Sequence, residues 1–345
     1  MGIQLGDIIP RRKISLAEIA GKKIAIDAFN ALYQFLSIIR GADGNPLMDS
    51  EGRVTSHLSG LLYRTTNLAE MGIRACYVFD GAPPQLKRLE IIRREEVKQA
   101  ATVKLRKAID EGRTEEVRKY AQATARLTHP MVSDAQRLLS LMGIPWIQAP
   151  SEGEAQAAYM ASRGDVYAAA SQDYDSLLFG APVLIRNVTI SGRRKIPRRN
   201  AYVQVEPEIV ELHTVLDKLK LDRSRLVYMG ILIGTDYNPD GIKGIGPKTA
   251  LKMVTQHISL QELLEHLGDK KAFPVDPEEL VKLFLEPDVM DRYELNWASP
   301  DVDGIVSFLC GERGFSEERV RKALEKMQSG LNHSQEHSTL EKWFS

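Results

Sequence analysis

The sequence predicts an α/β protein with a mostly parallel central sheet flanked by helices. Two apolar, strand-like runs, 22–27 and 75–80, each end at an aspartate. Stretches with helical spacing lie between them. A strand, a helical stretch and a second strand in that order are typical of a parallel sheet. Later apolar runs also lead into acidic residues. Because open α/β sheets carry active sites at the carboxyl ends of their strands, these acids are candidates for one site.

Hydrophobic periodicity and turn residues predict the other elements. Helical spacing predicts helices at 31–39, 57–71, 85–127, 133–142 and 223–233, and through most of 258–328. Apolar runs predict strands at 24–27, 75–79, 144–147 and 165–170, the last continuing through 171–175. Glycine and proline predict loops at 41–46 and 81–84, and Gly112 interrupts the long charged helical segment.

Composition is that of an ordinary globular protein. The chain has 345 residues, of which 43% are hydrophobic and 27% charged. No run reaches the roughly 18 apolar residues of a membrane helix, and residues 1–7 lack the zones of a secretory signal. Cys76 and Cys310 are too few for a disulfide framework. We therefore expect a cytoplasmic protein with reduced thiols and no membrane segment.

Charge is balanced in total but uneven along the chain. Lysine plus arginine and aspartate plus glutamate both number 46, so the net charge is zero. Segment 176–205 has no acidic residue, and its basic residues are Arg186, Arg193, Arg194, Lys195, Arg198 and Arg199. Segment 85–127 also contains more basic than acidic residues. Such stretches indicate local phosphate binding; a solvated hairpin and an exposed helical pair are the alternatives.

Seven acidic residues form the candidate site. They are Asp27, Asp80, Glu152, Glu154, Asp173, Asp175 and Asp236. Neighbouring carboxylates raise one another's pKa, so several stay ionised together only beside cations. Oxygen ligands without a nearby histidine favour Mg²⁺ or Mn²⁺ over Zn²⁺. Because two such ions roughly 4 Å apart promote phosphodiester hydrolysis, the pattern predicts a metal-dependent phosphoryl-transfer site.

Two of these assignments depend on local geometry. Asp173 and Asp175 are two residues apart, so in an extended strand both side chains face the same way. Ser151 and Glu154 also fit a capping box, in which the glutamate only completes the start of a helix. That alternative leaves the role of Glu154 open.

Phosphate hydrolysis also needs positive charge to stabilise the transition state. Lys87 and Arg94 follow Asp80 closely in the chain and are the first candidates. They are seven residues apart in a predicted helix, and therefore lie on the same helical face.

A glycine-rich turn follows the last of the seven acids. Its glycines are Gly241, Gly244 and Gly246, and Pro247 separates them from Lys248. A P-loop needs lysine directly after its second glycine, so this turn is not a nucleotide cradle. A glycine turn that opens a helix exposes backbone amides to phosphate, as helix–hairpin–helix elements do. An ordinary tight turn is the alternative.

Several motifs together resemble the flap endonucleases of the XPG/Rad2 family of structure-specific 5′ nucleases, in their short archaeal form. They are Ile26-Asp27-Ala28, Val78-Phe79-Asp80-Gly81, Pro83-Pro84-Gln85-Leu86-Lys87, Ala149-Pro150-Ser151-Glu152-Gly153-Glu154-Ala155, Ser171-Gln172-Asp173-Tyr174-Asp175 and Gly234-Thr235-Asp236-Tyr237-Asn238. The match runs nearly end to end. It implies a PIN-like nuclease core with a helical arch at 85–127 and a helix–hairpin–helix element.

The resemblance implies a function as well. A member of this family cuts 5′ flaps of branched DNA by two-metal hydrolysis, has 5′–3′ exonuclease activity, and acts in replication, including Okazaki fragment maturation, and in repair. Two Mg²⁺ ions, replaceable by Mn²⁺, are implied at the seven carboxylates. The implied catalytic residues are Asp27, Asp80 and Asp173, with Lys87 and Arg94 at the base of the arch.

Contacts with DNA are implied for further residues. Tyr33 resembles the aromatic that stacks on the nucleotide at the cleavage point, and Arg40 and Arg64 match positions that touch the DNA backbone. Gly2 matches a residue packed close to the active site. The turn from Gly241 to Lys248 resembles the element that also holds a potassium ion against the duplex.

The last residues resemble the motif that binds the sliding clamp, PCNA. Leu340, Trp343 and Phe344 match its aliphatic and two aromatic positions, whereas His337 replaces the usual glutamine. We expect a tail that folds on binding the clamp, in a protein that is itself a monomer.

The predicted regions are 1–98 (nuclease region and start of the arch), 99–139 (rest of the arch), 140–258 (intermediate nuclease region), 259–328 (helical region) and 329–345 (flexible tail). The expected location is the archaeal cytoplasm near the nucleoid, or the nucleus if the source is eukaryotic. Three alternatives remain: an exonuclease or Holliday-junction resolvase of the same family, a phosphatase built on 173–175, and a non-catalytic DNA-binding scaffold.

Overall fold

A computed structural model describes residues 3, 5–6, 8–41, 45–113, 116–117, 120, 124, 126–195, 202–268, 273 and 275–344. For 89, 193–195, 202–203 and 331–344 it describes the backbone and not the side chains. Gly2 and the basic residues at 198–199 therefore lie outside the described residues.

Nine strands are present in the described part of the chain. They are β1 (Arg12–Lys13), β2 (Lys23–Asp27), β3 (Arg74–Phe79), β4 (Trp146–Gln148), β5 (Ala168–Ala170), β6 (Val183–Arg186), β7 (Gly192–Lys195), β8 (Tyr202–Val205) and β9 (Glu208–Glu211). Seven of them form one sheet in the order β1-β9-β6-β5-β2-β3-β4, and β7 pairs with β8 alone. Pairing is parallel from β6 to β4 and antiparallel at the β9 and β1 edge. The predicted mostly parallel α/β fold is confirmed.

Thirteen α-helices lie within the described ranges. They are α1 (Ala28–Ile38), α2 (Ser56–Glu70), α3 (Arg88–Asp110), α4 (His129–Leu141), α5 (Gly153–Ser162), α6 (Asp175–Leu178), α7 (Leu212–Leu219), α8 (Arg223–Ile233), α9 (Pro247–Gln256), α10 (Leu260–Leu267), α11 (Pro277–Leu285), α12 (Val302–Val306) and α13 (Glu317–Phe344). A π-helical turn, Ser307–Glu312, follows α12. None of these helices combines the length and apolar character needed to cross a membrane.

The central strands are apolar because helices cover both faces of the sheet. Ile24 and Ile26 of β2 point into one core with Phe35 of α1. Ala25, between them, points into the opposite core together with Val78 of β3. Alternate strand residues face opposite sides, so a strand buried on both faces is apolar throughout. Burying each large aliphatic side chain stabilises the fold by about 1.5–3 kcal/mol.

One predicted strand and one predicted helix are shorter in the structure than the sequence indicated. The strand predicted to continue through 171–175 is wrong, because β5 ends at Ala170 and the chain turns into α6 at Asp175. The helix predicted over 85–127 ends at Asp110, and Gly112 follows with a φ of +66°. Glycine adopts this left-handed conformation without the steric cost that other residues meet, so the predicted interruption is confirmed.

The last helix extends further than predicted. α13 continues to Phe344, through residues expected to form a flexible tail. Residues 331–344 contain no glycine or proline, so no residue in that stretch strongly disfavours helix. Upstream, Gly330 packs directly on α2, because a Cβ there would lie 2.1 Å from the carbonyl oxygen of Ala69.

One buried histidine is not among the residues predicted to be functional. His57, on α2, is 1% exposed. Both of its ring nitrogens lack a hydrogen-bond partner among the described residues. Burial lowers the pKa of His57 to about 4, and the positive charge of Arg313 acts in the same direction. The imidazole is therefore neutral in the folded protein at pH 7.

This burial predicts an acid-sensitive stability. Between pH 6.5 and 4 the unfolded chain protonates His57 while the folded protein does not, so the free energy of unfolding falls by up to about 3 kcal/mol. Replacing His57 by leucine removes this contribution. In urea titrations at pH 7 and pH 4.5, the His57→Leu variant should lose less stability than the wild type, whereas exposed His213→Gln should match it. Equal losses in all three proteins would contradict the assignment.

Candidate metal centre and nucleic-acid interface

The seven predicted acids lie at one edge of the sheet or directly beside it. Asp27 ends β2, Asp80 follows β3, and Glu152 precedes α5 just beyond β4. Asp173 and Asp175 follow β5. Because β5, β2, β3 and β4 are parallel neighbours, their carboxyl ends meet at the same edge.

Electrostatic contacts join these acids into one cluster. The charge of Asp80 acts on Asp27, and those of Asp173 and Asp27 act on Glu154. Asp236, which follows α8, acts on Asp175 and on Glu152. The structure therefore brings together all seven acids that the sequence predicted.

Backbone amides hold two of the carboxylates in position. Asp27 is the N-cap of α1, and its Oδ1 accepts the Asn30 amide at 3.0 Å. Asp80 Oδ1 accepts the amide of Gly153, the first residue of α5, at 2.7 Å. Gly153 is needed for this approach, since a Cβ there would lie 2.8 Å from the same oxygen. Both carboxylates thus sit at helix N-termini, where the helix dipole favours negative charge.

The capping-box alternative for Glu154 is wrong. Helix α5 has Glu152 as its N-cap, and the Glu152 side chain makes no capping hydrogen bond. Glu154 instead accepts a hydrogen bond from the Ser171 hydroxyl, across the sheet edge from its own helix. The box fails because the helix begins at Gly153, which makes Glu154 its second residue.

The amino-terminal segment reaches the same cluster. The Ile3 amide donates to Asp175 Oδ1 at 2.8 Å, and both residues are buried. Gly2, predicted to lie near the active site, precedes this contact but lies outside the described residues.

Burial and mutual repulsion favour the protonated form of several acids. Burial raises the pKa of Asp175 to about 7, and the charge of Asp236 adds to it. Burial, followed by the charge of Asp80, raises the pKa of Asp27 well above its usual value. Burial and then Asp173 do the same for Glu154. Such a cluster is stabilised by bound cations, which let the carboxylates ionise together.

Two basic side chains from the α3 region already contact the cluster. Lys87 Nζ lies 2.6 Å from Glu152 Oε2 and 3.9 Å from Asp236 Oδ2. Arg94 donates to Asp236 Oδ2 at 2.6 Å and to Glu90 at 2.8 Å. Burial opposes ionisation of Asp236, but nearby positive charges, Arg94 and Lys87 among them, outweigh it and lower its pKa. The structure thus places Lys87 and Arg94 at the acid cluster, and their predicted contact with a phosphate stays a prediction.

The donor set fits magnesium or manganese bound partly through water. Among the described residues, no three acidic, histidine or cysteine side chains are grouped closely enough to hold one ion by themselves. Mg²⁺ commonly keeps several of its waters and binds through one or two carboxylates. The mutually raised pKa values of Asp27 and Glu154 reflect the charge density that such ions neutralise.

The residues predicted to contact DNA differ in their exposure and partners. Tyr33, on α1, is 37% exposed, and the Lys98 ammonium of α3 lies 5.4 Å from its ring centre. Arg40 is partly buried and donates to the Ser37 carbonyl at 3.1 Å. Arg64 donates to the Ser191 carbonyl at 2.9 Å and lines a cavity of about 390 Å³.

The glycine turn connects α8 to α9 as a helical hairpin. Gly241 packs against α8, since a Cβ there would lie 2.3 Å from the Ile233 carbonyl oxygen. Gly244 and Gly246 have open space at the Cβ position, and Gly246 is the N-cap of α9. Lys248 is exposed in the first turn. The turn therefore presents its backbone and a lysine to solvent at a helix N-terminus.

The one basic residue of segment 176–205 whose side chain is described is Arg186. Arg186 pairs with Glu208 at 3.1 Å and stacks on the Tyr174 ring at 4.3 Å, which makes it a packing residue. The arginines of β7 have described backbones only.

Sequence reasoning missed three groups that hold the acids: the Ile3 amide, Ser171 and Asn30. The side chain of Asn30 donates to Asp173 Oδ2 at 3.2 Å. Its position three residues after Asp27, in a first helical turn, was an available signal. The Ile3 and Ser171 contacts join residues far apart in sequence, and no local pattern indicates them.

Comparison with known proteins identifies the family. The model of the XPG N-terminal domain matches residues 1–101, and that of the XPG I-region matches 143–236. Flap endonuclease 1 of Pyrococcus furiosus is 55% identical over 344 residues, covering 100% of this chain and 99% of the relative. The chain belongs to the flap endonuclease 1 family.

Solved structures of this group share the fold. Flap endonuclease-1 from Methanococcus jannaschii superposes with a TM-score of 0.76 at 42% identity, covering 96% of this chain and 99% of that one. The catalytic core of Rad2 in complex with DNA substrate superposes with a TM-score of 0.70 at 25% identity, covering 95% and 100%. The α/β nuclease fold of the flap endonuclease 1 family is thus present over nearly the whole chain.

The close approach at Gly153 yields a test of the site geometry. The Gly153→Ala variant places a methyl group against Asp80 Oδ1, so the carboxylate moves. A displacement of about 1 Å at a catalytic group costs roughly 10²-fold in rate. Single-turnover cleavage of a flap substrate should fall by about that factor, while Gly311→Ala, where no atom lies within 4 Å, should cleave normally. Normal turnover by Gly153→Ala would argue against this placement of Asp80.

Proposed function

We propose that the chain cuts 5′ flaps of branched DNA near the junction of single and double strands, hydrolysing a phosphodiester bond with two Mg²⁺ ions that Mn²⁺ can replace. The observation that carries the proposal is the convergence of seven carboxylates with Lys87 and Arg94 at the start of α3. Structure-specific nuclease activity is the family's reaction, and replication and repair are its roles. The same centre would act on a recessed 5′ end as a 5′–3′ exonuclease.

In this proposal the carboxylates hold the metals and the arch supplies positive charge. When bound by these carboxylates, Mg²⁺ would supply the activation of water and the neutralisation of phosphate charge. Asp27 and Asp80, fixed by amides, provide rigid ligands, and Asp173 lies beside them. Lys87 and Arg94, which donate to Glu152 and Asp236, would donate to the phosphate oxygens instead, because ammonium and guanidinium groups bind phosphate as they bind carboxylate.

Shape, not base sequence, would select the substrate. Tyr33 offers a partly exposed ring for stacking one nucleotide, and Arg40 and Arg64 would bind backbone phosphates. The turn from Gly241 to Lys248 offers amides and charge to a duplex backbone, where a potassium ion would complete the contact. Contacts with phosphate carry no sequence information, so they recognise DNA geometry.

The metal assignment has a direct test. Asp27→Asn and Asp173→Asn remove one negative charge each while preserving size, so both should abolish flap cleavage at ordinary Mg²⁺ concentrations. Binding of a labelled double-flap DNA in Ca²⁺ should change little, since the phosphate contacts remain. Exposed Asp217→Asn is the matched control and should cleave as the wild type.

Mapping the position of the cut in the labelled double-flap DNA separates this proposed function from its alternatives. A cut near the junction of the labelled double flap supports the flap nuclease, whereas preference for four-way junctions or blunt ends indicates another branch of the family. Hydrolysis of small phosphate esters would indicate a phosphatase. Unchanged turnover by either asparagine variant would overturn the metal assignment.

A sliding clamp, PCNA, is the proposed partner of the carboxyl terminus. The residues that carry this proposal, Leu340, Trp343 and Phe344, are in the stretch whose side chains are not described. Their support is the motif in the sequence. We also propose that the protein acts as a monomer, at chromosomal DNA in an archaeal cytoplasm, since its relatives are archaeal.

Removing the aromatic side chain of Phe344 should weaken binding to the clamp. An aromatic anchor buried at a peptide interface contributes about 2 kcal/mol or more, so Phe344→Ala should weaken clamp binding by at least roughly 30-fold in calorimetry. His337→Gln should strengthen it by restoring the usual motif residue. Flap cleavage without the clamp should not change in either variant. Equal affinity of the full chain and a chain ending at Ser329 would contradict the partner assignment.

A further inference from the structure

A chain of side-chain hydrogen bonds runs from the metal centre into the neighbouring turn. Asn30 Nδ2 donates to Asp173 Oδ2 at 3.2 Å. Gln34 Nε2 donates to Asn30 Oδ1 at 2.5 Å, and Thr189 Oγ1 donates to Gln34 Oε1 at 2.9 Å. Asn30, Gln34 and Thr189 are named here the amide chain. None of the three residues is among those that the sequence marked as functional.

We infer that the amide chain positions Asp173 for metal binding, with Asn30 as the residue that touches the carboxylate and Gln34 and Thr189 acting through it. The inference rests on the proposed function, because it takes Asp173 to be a metal ligand. Hydrogen-bonded partners behind a metal ligand fix its orientation, and their loss typically weakens metal affinity by about 10–100-fold.

The direction of each hydrogen bond supports this role. A carboxylate only accepts, so Asn30 must turn its NH₂ group toward Asp173. Because the oxygen of Asn30 accepts from Gln34, the opposite orientation of Asn30 would lose both bonds, with oxygen against oxygen at Asp173 and NH₂ against NH₂ at Gln34. The oxygen of Gln34 is in turn held by the Thr189 hydroxyl, which can rotate to donate. The carboxylate of Asp173 therefore sets the orientation of Asn30, Asn30 sets that of Gln34, and the Thr189 hydroxyl completes the chain.

Asn30 also connects two of the acids. Its backbone amide donates to Asp27 Oδ1 and its side chain to Asp173 Oδ2, at 3.0 and 3.2 Å. Gln34 lies one turn later on α1, so the two amides share a helical face. One rigid helical turn thus sets the spacing between carboxylates that come from β2 and from the turn after β5.

The far end of the amide chain is anchored. Thr189 is 6% exposed and lies in a single 3₁₀ turn, Val188–Ile190, after β6. Ser191, which directly follows this turn, donates its hydroxyl to the Val188 carbonyl at 3.2 Å. The Ser191 carbonyl in turn accepts a hydrogen bond from Arg64. Thr189 therefore presents its hydroxyl from a fixed turn, whose other side contacts an arginine proposed to bind DNA.

The test compares matched threonine variants. Thr189→Val keeps the shape but removes the hydroxyl, and Thr189→Ser keeps the hydroxyl. Binding of Mn²⁺ without DNA, followed by electron paramagnetic resonance, should weaken by about tenfold in Thr189→Val and recover in Thr189→Ser. Thr214→Val, at an exposed site, should bind Mn²⁺ normally. Equal Mn²⁺ affinity in Thr189→Val and the wild type would overturn the inference.

The residue that touches Asp173 should show the larger effect. Asn30→Leu should weaken Mn²⁺ binding by up to about 10²-fold and raise the Mg²⁺ concentration for half-maximal cleavage, with the KM for DNA unchanged. If Thr189 acts through Asn30, adding Thr189→Val to Asn30→Leu should cause no further loss. Additive losses would mean that Thr189 stabilises only its own turn. Thermal unfolding of each variant checks that the fold is retained.

The Asp173→Asn variant separates failure of the proposed metal site from failure of the amide chain. If that variant still cleaves at normal Mg²⁺, the proposed metal site itself fails. If it is inactive while Asn30→Leu binds Mn²⁺ as tightly as the wild type, the amide chain has no positioning role and the proposed function stands.

Discussion

Repulsion among buried carboxylates is the constraint on which the rest of this structure depends. Burial and neighbouring acids raise the pKa of Asp27, Glu154 and Asp175 together. Such a cluster costs free energy in the folded state unless cations and hydrogen-bond donors offset it. The fold supplies donors from helix N-termini at Asp27 and Asp80. Bound metal ions would supply the remaining positive charge.

The same constraint explains why the arch begins beside the site. Lys87 and Arg94 form short ion pairs with Glu152 and Asp236, and these contacts connect α3 to the sheet edge. Most of the remaining described side chains of α3 are exposed, large aliphatic ones such as Ile92, Val97 and Val103 included, so little apolar packing holds the helix elsewhere. A bound metal ion would compete with these two cations for the carboxylates, and a phosphate would compete with the carboxylates for the two cations. Binding of metal and of substrate at this site would therefore alter the contacts that hold the start of α3.

Tight backbone packing gives the cluster its rigidity. A Cβ on Gly81 would lie 2.2 Å from the Ala149 carbonyl oxygen, so the segments after β3 and β4 touch directly. The Gly81 amide donates to the Ser151 carbonyl at 2.6 Å. Glycine is required at such a contact because any side chain would separate the two segments. This contact brings Asp80 next to the start of α5, and thereby next to Glu152.

The sequence alone determined the fold class and picked out the seven acids that the structure groups, because strand periodicity and strand-end residues are local signals. It also indicated the glycine turn and the break at Gly112, since both follow from glycine's backbone freedom. Tertiary structure alone decided the start of α5, which removed the capping role of Glu154, and the turn that replaced a strand after β5. It alone revealed the contacts of Ile3, Ser171 and Asn30, which join residues separated by 172, 17 and 143 positions. Such contacts depend on where the folded chain brings distant segments together, and no local pattern of residues encodes that.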